Sequence, residues 1–135
     1  MKKLLTFMLL IAALILIGCS DNFSVEDLTG NWLMIRDDGE IAVGRAGGYR
    51  VMILNEDGTG LSGDTGWTDG VSPMTWEIRN GNHLYLIGNA TLRLEIASYD
   101  NGVLKLEYLD FLPFTDTSIY IRVDYIELTD DMIQQ

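Results

Sequence analysis

The chain has 135 residues, of which 47% are hydrophobic, and its 20 acidic residues outnumber 9 basic ones to give a net charge of −11 at pH 7. A charge of this sign repels the phosphates of nucleic acids and the headgroups of anionic lipids, which excludes both as binding partners. The length is sufficient for one domain with its own hydrophobic core and leaves no room for a second.

Residues 1–18 have the features of a secretory signal peptide. Two lysines precede an apolar run over residues 4–17, and Gly18 supplies a small residue at the end of this run. A transmembrane helix needs about 20 apolar residues, so a membrane span is the less favoured interpretation of this shorter run. Loss of the two lysines with the signal peptide leaves seven basic residues against 20 acidic ones, a net charge of −13.

The four residues Leu16, Ile17, Gly18 and Cys19 resemble the lipobox of bacterial lipoproteins. This resemblance implies cleavage after Gly18, a diacylglycerol on the Cys19 thiol and usually a third acyl chain on the new amine. Each buried methylene contributes about 0.8 kcal/mol, so two or more chains hold a domain stably on a membrane. An ordinary cysteine near a cleavage site is the alternative. Cys19 is the only cysteine, which excludes a disulfide within the chain.

The residue after the lipobox bears on the destination within the cell envelope. Ser20 lies where lipoproteins of enteric bacteria carry an aspartate for retention in the inner membrane, so the resemblance implies the outer membrane. Ser20 and Asp21 also resemble part of the surface-export signal of Bacteroidetes lipoproteins. The periplasmic face and the outward face therefore both stay open.

After a lipidated tether over residues 19–25, the sequence predicts one short helical turn. Ser24 is a candidate N-cap for a turn from Val25 to Leu28, which has two acidic residues at its start. From Gly30 onward, helix signals are absent. Short β-branched, aromatic and leucine-rich runs alternate with Gly, Asn and Asp about every ten residues, which is typical of antiparallel strands joined by tight turns.

These runs predict strands at regular intervals along the chain. They are Asn31–Arg36, Ile41–Val43, Tyr49–Asn55, Thr59–Ser62, Met74–Arg79, His83–Ile87, Ala90–Ser98, Val103–Leu109 and Ser118–Leu128. Glycines at positions 44, 47 and 48 predict a bulge or a break between the second and third runs. Residues 63–71 and 110–117 are predicted loops.

Seven or eight antiparallel strands formed from these nine runs, each with one apolar face, predict an all-β fold. An up-and-down barrel of about eight strands is favoured because closure removes the open edges of the sheet, and a β-sandwich is the alternative. The predicted barrel domain covers residues 26–128, and residues 129–135 form a C-terminal tail.

The first strand begins with Gly30-Asn31-Trp32, which resembles the G-x-W signature of lipocalins, and Arg122 lies in the last strand, where that family has an arginine. Residues 26–127 as a whole are similar to small lipocalin-like lipoproteins of Bacteroidetes. The segments that carry this similarity are Leu28-Thr29-Gly30-Asn31-Trp32, Asn55-Glu56-Asp57-Gly58-Thr59-Gly60 and Trp76-Glu77-Ile78. The resemblance implies a barrel whose base is closed by Trp32, with Arg122 packed across its ring.

The interior of such a barrel is either filled by its own side chains or open to one small ligand. Side chains predicted to point inward with Trp32 are those of Met34, Met74, Trp76, Leu92, Leu94, Tyr108 and Tyr125. These bulky residues leave both outcomes open. Any ligand cup would have its mouth at the end of the barrel away from Trp32.

Catalytic signals are weak throughout the chain. His83 is the only histidine, the acids lack the spacing of a calcium loop, and Gly60-Leu61-Ser62-Gly63 is not a nucleophile elbow. We therefore expect no enzymatic activity, no cofactor and no metal site. Converging carboxylates are the only route to an enzyme that the sequence leaves open.

Two apolar segments are candidates for a ligand or partner surface. Trp67 and the loop Phe111-Leu112-Pro113-Phe114 either fold back over the core or form a hydrophobic rim. The candidate rim or ligand residues are Trp67, Trp76, Tyr108, Phe111 and Phe114. We expect a lipid-anchored envelope lipoprotein that binds a small apolar molecule, and the alternative is a packed barrel that docks another envelope protein.

Overall fold

Eight antiparallel strands close into one barrel in the computed structural model, which describes residues 22–110 and 116–135. Each strand pairs with the next along the chain, and the last pairs with the first. The strands are β1 (Gly30–Ile35), β2 (Arg50–Leu54), β3 (Thr59–Asp64), β4 (Val71–Arg79), β5 (His83–Ile87), β6 (Thr91–Asp100), β7 (Val103–Tyr108) and β8 (Thr117–Val123). The predicted all-β up-and-down barrel is confirmed, and closure of the sheet excludes a sandwich.

A single helical turn, α1 (Val25–Leu28), precedes the barrel at the predicted position. Ser24 caps this turn reciprocally, because the Asp27 amide donates to the Ser24 hydroxyl at 3.4 Å and the Ser24 amide donates to the Asp27 carboxylate at 2.9 Å. Leu28 is fully buried in the core. Within the described residues, no helix has both the length and the apolar character needed to cross a bilayer.

The chain docks on the barrel within the segment predicted as a tether. The backbone N–H of Phe23 donates to the carbonyl of Gly81 at 2.7 Å, and the Phe23 side chain packs against the core. The Asn22 side chain fills the space that a Cβ at Gly81 would need. Residues 22 and 23, which precede the predicted domain boundary, therefore already contact the barrel.

The predicted short strand Ile41–Val43 forms only two isolated bridges. Gly44 N–H donates to the Gly48 carbonyl at 2.9 Å, so the chain reverses in a tight turn. Regular pairing of β2 begins only at Arg50. The glycine cluster is thus a break in the strand.

The loop between β3 and β4 is shorter than predicted. Pairing extends to Asp64 and resumes at Val71, which leaves only residues 65–70 in the loop. Gly63 permits this close approach, because its φ is +147° and a Cβ there would lie 1.9 Å from the carbonyl oxygen of Gly70.

The inward-facing residues follow from the pairing of the strands. Trp32 lies opposite Met52 on one side and Arg122 on the other, so all three face the interior. In β8 the same face carries Tyr120 and Ser118. The buried core consists of Leu28, Trp32, Met52, Leu54, Met74, Trp76, Leu84, Leu86, Leu94, Ile96, Leu104, Leu106 and Tyr120.

A bulge in β6 changes which side chains face inward near the end of the strand. The register with β7 shifts between Ile96 and Ser98. The extra residue turns Tyr99 into the interior, where its ring meets Trp32 edge-on with the ring centres 6.1 Å apart. A strict two-residue period from Ile96 would have directed Tyr99 outward.

The last strand ends at Val123, five residues before the predicted end at Leu128. Residues 124–135 instead cross the outside of the barrel. Ile133 bridges in parallel to Val71, and Gln134 N–H donates to the Val71 carbonyl at 2.7 Å. This crossing buries Val71, which faces away from the interior.

Tyr125 does not point into the barrel as predicted. Its side chain is 77% exposed, because Tyr120 and Arg122 take the inward face of β8, which leaves Tyr125 on the outward face, and the chain has already left the strand at this position. With Ile126 and Met132, it borders a shallow groove over the outer side of Leu33 and Val51. The C-terminal segment therefore contributes cover to the outside and nothing to the interior.

Candidate functional site

The two ends of the barrel differ in what closes them. We call the end that carries α1 and the turns at 55–58, 80–82 and 101–102 the base. The opposite end, which we call the mouth, carries the connections at 36–49, 65–70, 88–90 and 109–116. Trp32 and Arg122 lie near the base, and Arg50 and Tyr108 lie at the mouth.

The base is closed by an aromatic and cationic cluster. Trp32 is 0% exposed, and its indole N–H donates to the carbonyl of Leu28 at 2.8 Å. The guanidinium of Arg122 lies 4.7 Å from the ring centre of Trp32, a cation–π contact. Arg122 also donates to the Tyr99 hydroxyl at 3.1 Å and to the carbonyl of Asp27. These bonds join α1 to the first and last strands.

Gly30 is part of the same cluster because it has no side chain. Its φ is +149°, and a Cβ there would lie 3.0 Å from Nε of Arg122. The spacing of Gly30 and Trp32 therefore places a gap for the arginine side chain beside the ring that it covers. The lipocalin resemblance implies that Gly30, Trp32 and Arg122 are structural residues of the base. In the structure, the Arg122 side chain lies over the Trp32 ring and next to Gly30.

The mouth half of the barrel contains a cavity of ≈ 280 Å³. It exists because several residues of the surrounding wall are small, including Ser62, Ser72 and Gly88. Its apolar lining consists of Met52, Met74, Leu86, Leu92, Leu94 and Leu106, with Val51, Pro73 and Ala90 nearby. The interior is thus filled at the base and open at the mouth, which combines the two outcomes that the sequence leaves open.

Polar side chains also line this cavity: Ser62, Ser72 and Asn89 contribute small neutral groups, and three larger side chains contribute a cation and two phenols. Arg50, Tyr108 and Tyr120 all line it. Burial, together with the nearby Tyr108, raises the pKa of Tyr120 to about 12, and interaction with the Arg50 guanidinium partly opposes this rise. The Tyr120 phenol therefore stays neutral at physiological pH and can donate a hydrogen bond. No acidic side chain of the described residues lines the cavity.

An ion pair fixes the outer wall next to the mouth. Arg93 donates through Nε to the Asp110 carboxylate at 2.8 Å. The hydrogen bond from Arg93 holds the pKa of Asp110 below its usual value. The pair anchors the chain immediately before residue 111.

The predicted rim residues occupy different places. Tyr108 is half-buried and lines the cavity. Trp67 is 61% exposed in the loop at 65–70 and is not part of the cavity wall. Trp76 is not at the rim: it is 4% exposed, and its indole N–H donates to the carbonyl of Asn55 at 2.8 Å near the base. Cys19, Phe111 and Phe114 lie outside the described residues.

Two residues of the cavity are absent from the sequence-based candidates. Arg50 begins β2, and its inward direction follows from the two-residue spacing to Met52 and Leu54. Tyr120 lies two residues before Arg122, which faces the interior. The signal for both was strand alternation, counted from residues already assigned to the core.

The described residues include the histidine but no cluster suited to a metal ion. His83 is half-buried on β5 opposite Arg79 and Glu95, on the outward face. In residues 22–110 and 116–135, no group of three His, Cys, Asp or Glu side chains is placed to hold a metal ion. The chain matches no protein-family model, and no curated protein is similar to it in sequence.

Proposed function

We propose that the protein is a cell-envelope lipoprotein, anchored through acyl chains on Cys19, whose barrel binds one small and largely apolar molecule. The observation that carries the binding role is the ≈ 280 Å³ cavity at the mouth. It approaches the lower end of the 300–1,000 Å³ range typical of ligand pockets. An apolar cavity of about 150 Å³ is enough to bind benzene, so a short acyl chain or a one- to two-ring compound fits this one.

The anchor rests on the resemblance of Leu16-Ile17-Gly18-Cys19 to a lipobox, and the lipocalin-like character rests on the G-x-W resemblance at Gly30 and Trp32. The closed barrel with its base cluster is compatible with both. Because Ser20 follows the cysteine, we propose the outer membrane as the destination.

The docked N-terminus gives the anchor a consequence for orientation. The backbone of Phe23 is hydrogen-bonded to Gly81 at the base. Four residues of chain connect Cys19 to Phe23, and they span at most about 14 Å. With acyl chains on Cys19, the base is held against the membrane. The mouth then faces away from the bilayer, so the ligand arrives from the aqueous side.

Ligand binding is tested by filling the cavity. Ser62→Leu adds bulk to the cavity wall, and Thr91→Leu introduces the same side chain at an exposed position on β6 at the same end. We expect an environment-sensitive apolar fluorophore to bind the mature chain and the Thr91 variant, and to bind the Ser62 variant at least tenfold more weakly. Equal binding by all three would remove the cavity as the binding site.

The anchor is tested separately in cells. Radiolabelled palmitate should enter the full chain and not a Cys19→Ala variant, which should leave the membrane fraction. Retention of the variant in that fraction, with no label in either protein, would contradict lipidation.

A protein-interaction module is the second candidate. Val43, Trp67 and Tyr125 are exposed apolar side chains, a feature that marks some interaction sites. A photo-crosslinking residue at position 67 should then capture one defined envelope protein, whereas the same residue at exposed Lys105 should capture none. Identical patterns at both positions would contradict this role.

A further inference from the structure

We propose that the ligand of the mouth cavity is a small amphipathic carboxylic acid, whose carboxylate is bound by Arg50 and the neighbouring tyrosine hydroxyls. This inference deepens the proposed ligand-binding function and rests on it. Its starting point is that the cavity combines apolar side chains with one cation, two phenols and the neutral polar side chains of Ser62, Ser72 and Asn89.

Arg50 is placed to receive a head group at the end of the cavity. It is the first residue of β2 and lies on the inward face that Met52 and Leu54 continue toward the base. Arg50 is exposed at the mouth, so solvent reaches its side chain there. A ligand that enters with its apolar part first therefore ends with its polar group beside Arg50.

The charge of Arg50 is not matched by an acid within the described part of the chain. Arg36, Arg79 and Arg93 each form an ion pair with an aspartate or glutamate. Arg50 forms no ion pair with any described residue. Asp64 lies opposite it across β2 and β3, but the Asp64 carboxylate accepts the amide N–H of Gly66 at 2.8 Å. The loop residues 111–115 contain no acid in their sequence.

Arg50 instead shares the cavity with the hydroxyls of Tyr108 and Tyr120. The nearby guanidinium lowers the pKa of the Tyr120 phenol and so partly opposes the effect of its burial. Arginine presents a planar set of donors that matches the two oxygens of a carboxylate, and charge-assisted bonds of this type are strong. The neutral phenol of Tyr120 adds a further donor. An anion thus meets donors on this side of the site, whereas an ammonium group would meet a like charge.

The remaining wall defines the body of the ligand. Met52, Met74, Leu94 and Leu106 offer no donor or acceptor of ordinary strength. The two methionines can adapt to chains or rings of different shape. The ligand class is therefore a monocarboxylate with a short aliphatic chain or a small ring.

A matched series of eight-carbon ligands separates the head group from the body. Octanoate, 1-octanol and octylamine share the same chain and differ in charge. The protein is a soluble form without the signal peptide and Cys19, residues 20–135, which contains every described strand and helix. Binding of each ligand is measured by titration calorimetry at fixed salt, because exposed charges are screened over about 8 Å at 0.15 M.

We expect octanoate to bind 10- to 100-fold more tightly than octanol, and octylamine to bind most weakly. Arg50→Met should weaken octanoate binding far more than octanol binding, so that the advantage of the acid is lost. Arg45→Met, in the loop before β2 and not in the cavity wall, is the control and should change neither. Tyr120→Phe, which removes one hydroxyl, should weaken octanoate alone and keeps the test valid if Arg50→Met fails to fold.

Three results overturn the inference. Equal binding of octanoate and octanol by the unmodified protein removes the carboxylate site and leaves the apolar cavity as a binding site. Tightest binding of octylamine reverses the sign of the head group. Failure of all three ligands, together with failure of the apolar fluorophore, overturns the proposed binding function itself.

Discussion

Replacing Arg122 with methionine measures what the cluster at the base contributes to stability. Methionine keeps a long unbranched side chain over Trp32 and removes the guanidinium. That group lies 4.7 Å from the Trp32 ring centre and donates to the Tyr99 hydroxyl and the Asp27 carbonyl. The variant therefore separates the polar contacts of Arg122 from the packing of its stem.

The expected loss follows from these contacts. A cation–π contact at an exposed site contributes about 0.5–1 kcal/mol. A typical hydrogen bond contributes about 0.5–1.5 kcal/mol net, and Arg122 makes two whose partners are partly accessible to solvent. We expect Arg122→Met to lower the free energy of unfolding by about 2 kcal/mol, because partial exposure keeps the sum near the lower limits.

The assay is urea denaturation of residues 20–135, followed by tryptophan fluorescence. The control is Arg36→Met, which removes a surface ion pair with Asp38 whose two side chains are 65% and 51% exposed. Such pairs contribute about 0–1 kcal/mol, so the control should lose less than 1 kcal/mol. If both variants lose the same small amount, the base cluster contributes no more than a surface contact and the reasoning is refuted.

Three further predictions concern backbone strain and titration. Gly30→Ala should destabilise by about 1–3 kcal/mol, and part of this loss should disappear in an Arg122→Ala background, as a double-mutant cycle of urea midpoints would show. The carboxyl of Asp110 should titrate by NMR with a pKa below its usual value. Its contribution to the free energy of unfolding should be present above the pKa of the unfolded state and lost as pH falls through the pKa of the folded state. This pH dependence should vanish in Arg93→Met. An absorbance titration should show one tyrosine with a pKa near 12, and this titration step should be absent in Tyr120→Phe. Because the pKa of Tyr120 in the folded state lies above the unfolded value near 10, its stabilising contribution should be lost between pH 10 and 12.

Local signals predict the elements of this fold well, because hairpins and caps depend on neighbouring residues. Ser24 and its acidic neighbours predict α1 with its observed bounds, and β5 also has the predicted ends. Asn80 and Asn101 have φ of 56° and 50°, each followed by a glycine with φ of +76°, which is the backbone that such turns require.

Side-chain direction is harder to predict where the two-residue period breaks. The bulge after Ile96 reverses the direction of Tyr99, and no turn residue marks it in the sequence. The end of β8 at Val123 depends on the C-terminal segment crossing β4, a contact between distant parts of the chain. The exposed position of Tyr125 agrees with the alternation of its own strand, because Tyr120 and Arg122 face the interior, so the prediction of an inward Tyr125 assigned the wrong face of β8 to the interior.

The cavity is predicted least well, for a related reason. Its volume depends on which residues of neighbouring strands lie at one level of the barrel, so bulky Met74 and Leu92 can border empty space when Ser62 and Gly88 lie near them. A residue count along the chain does not reveal this arrangement. The same register brings Arg50 near Tyr120. These residues are far apart in sequence and lie on β2 and β8, which do not pair with each other.

Ligand binding is tested by native mass spectrometry of the protein isolated from the cells that produce it, without added apolar compounds. If the cavity is a binding site, we expect a second species heavier than the polypeptide by the mass of one small molecule, released on unfolding and absent in Ser62→Leu. A single species at the mass of the polypeptide, combined with no uptake of octanoate, octanol or the apolar fluorophore, would contradict ligand binding.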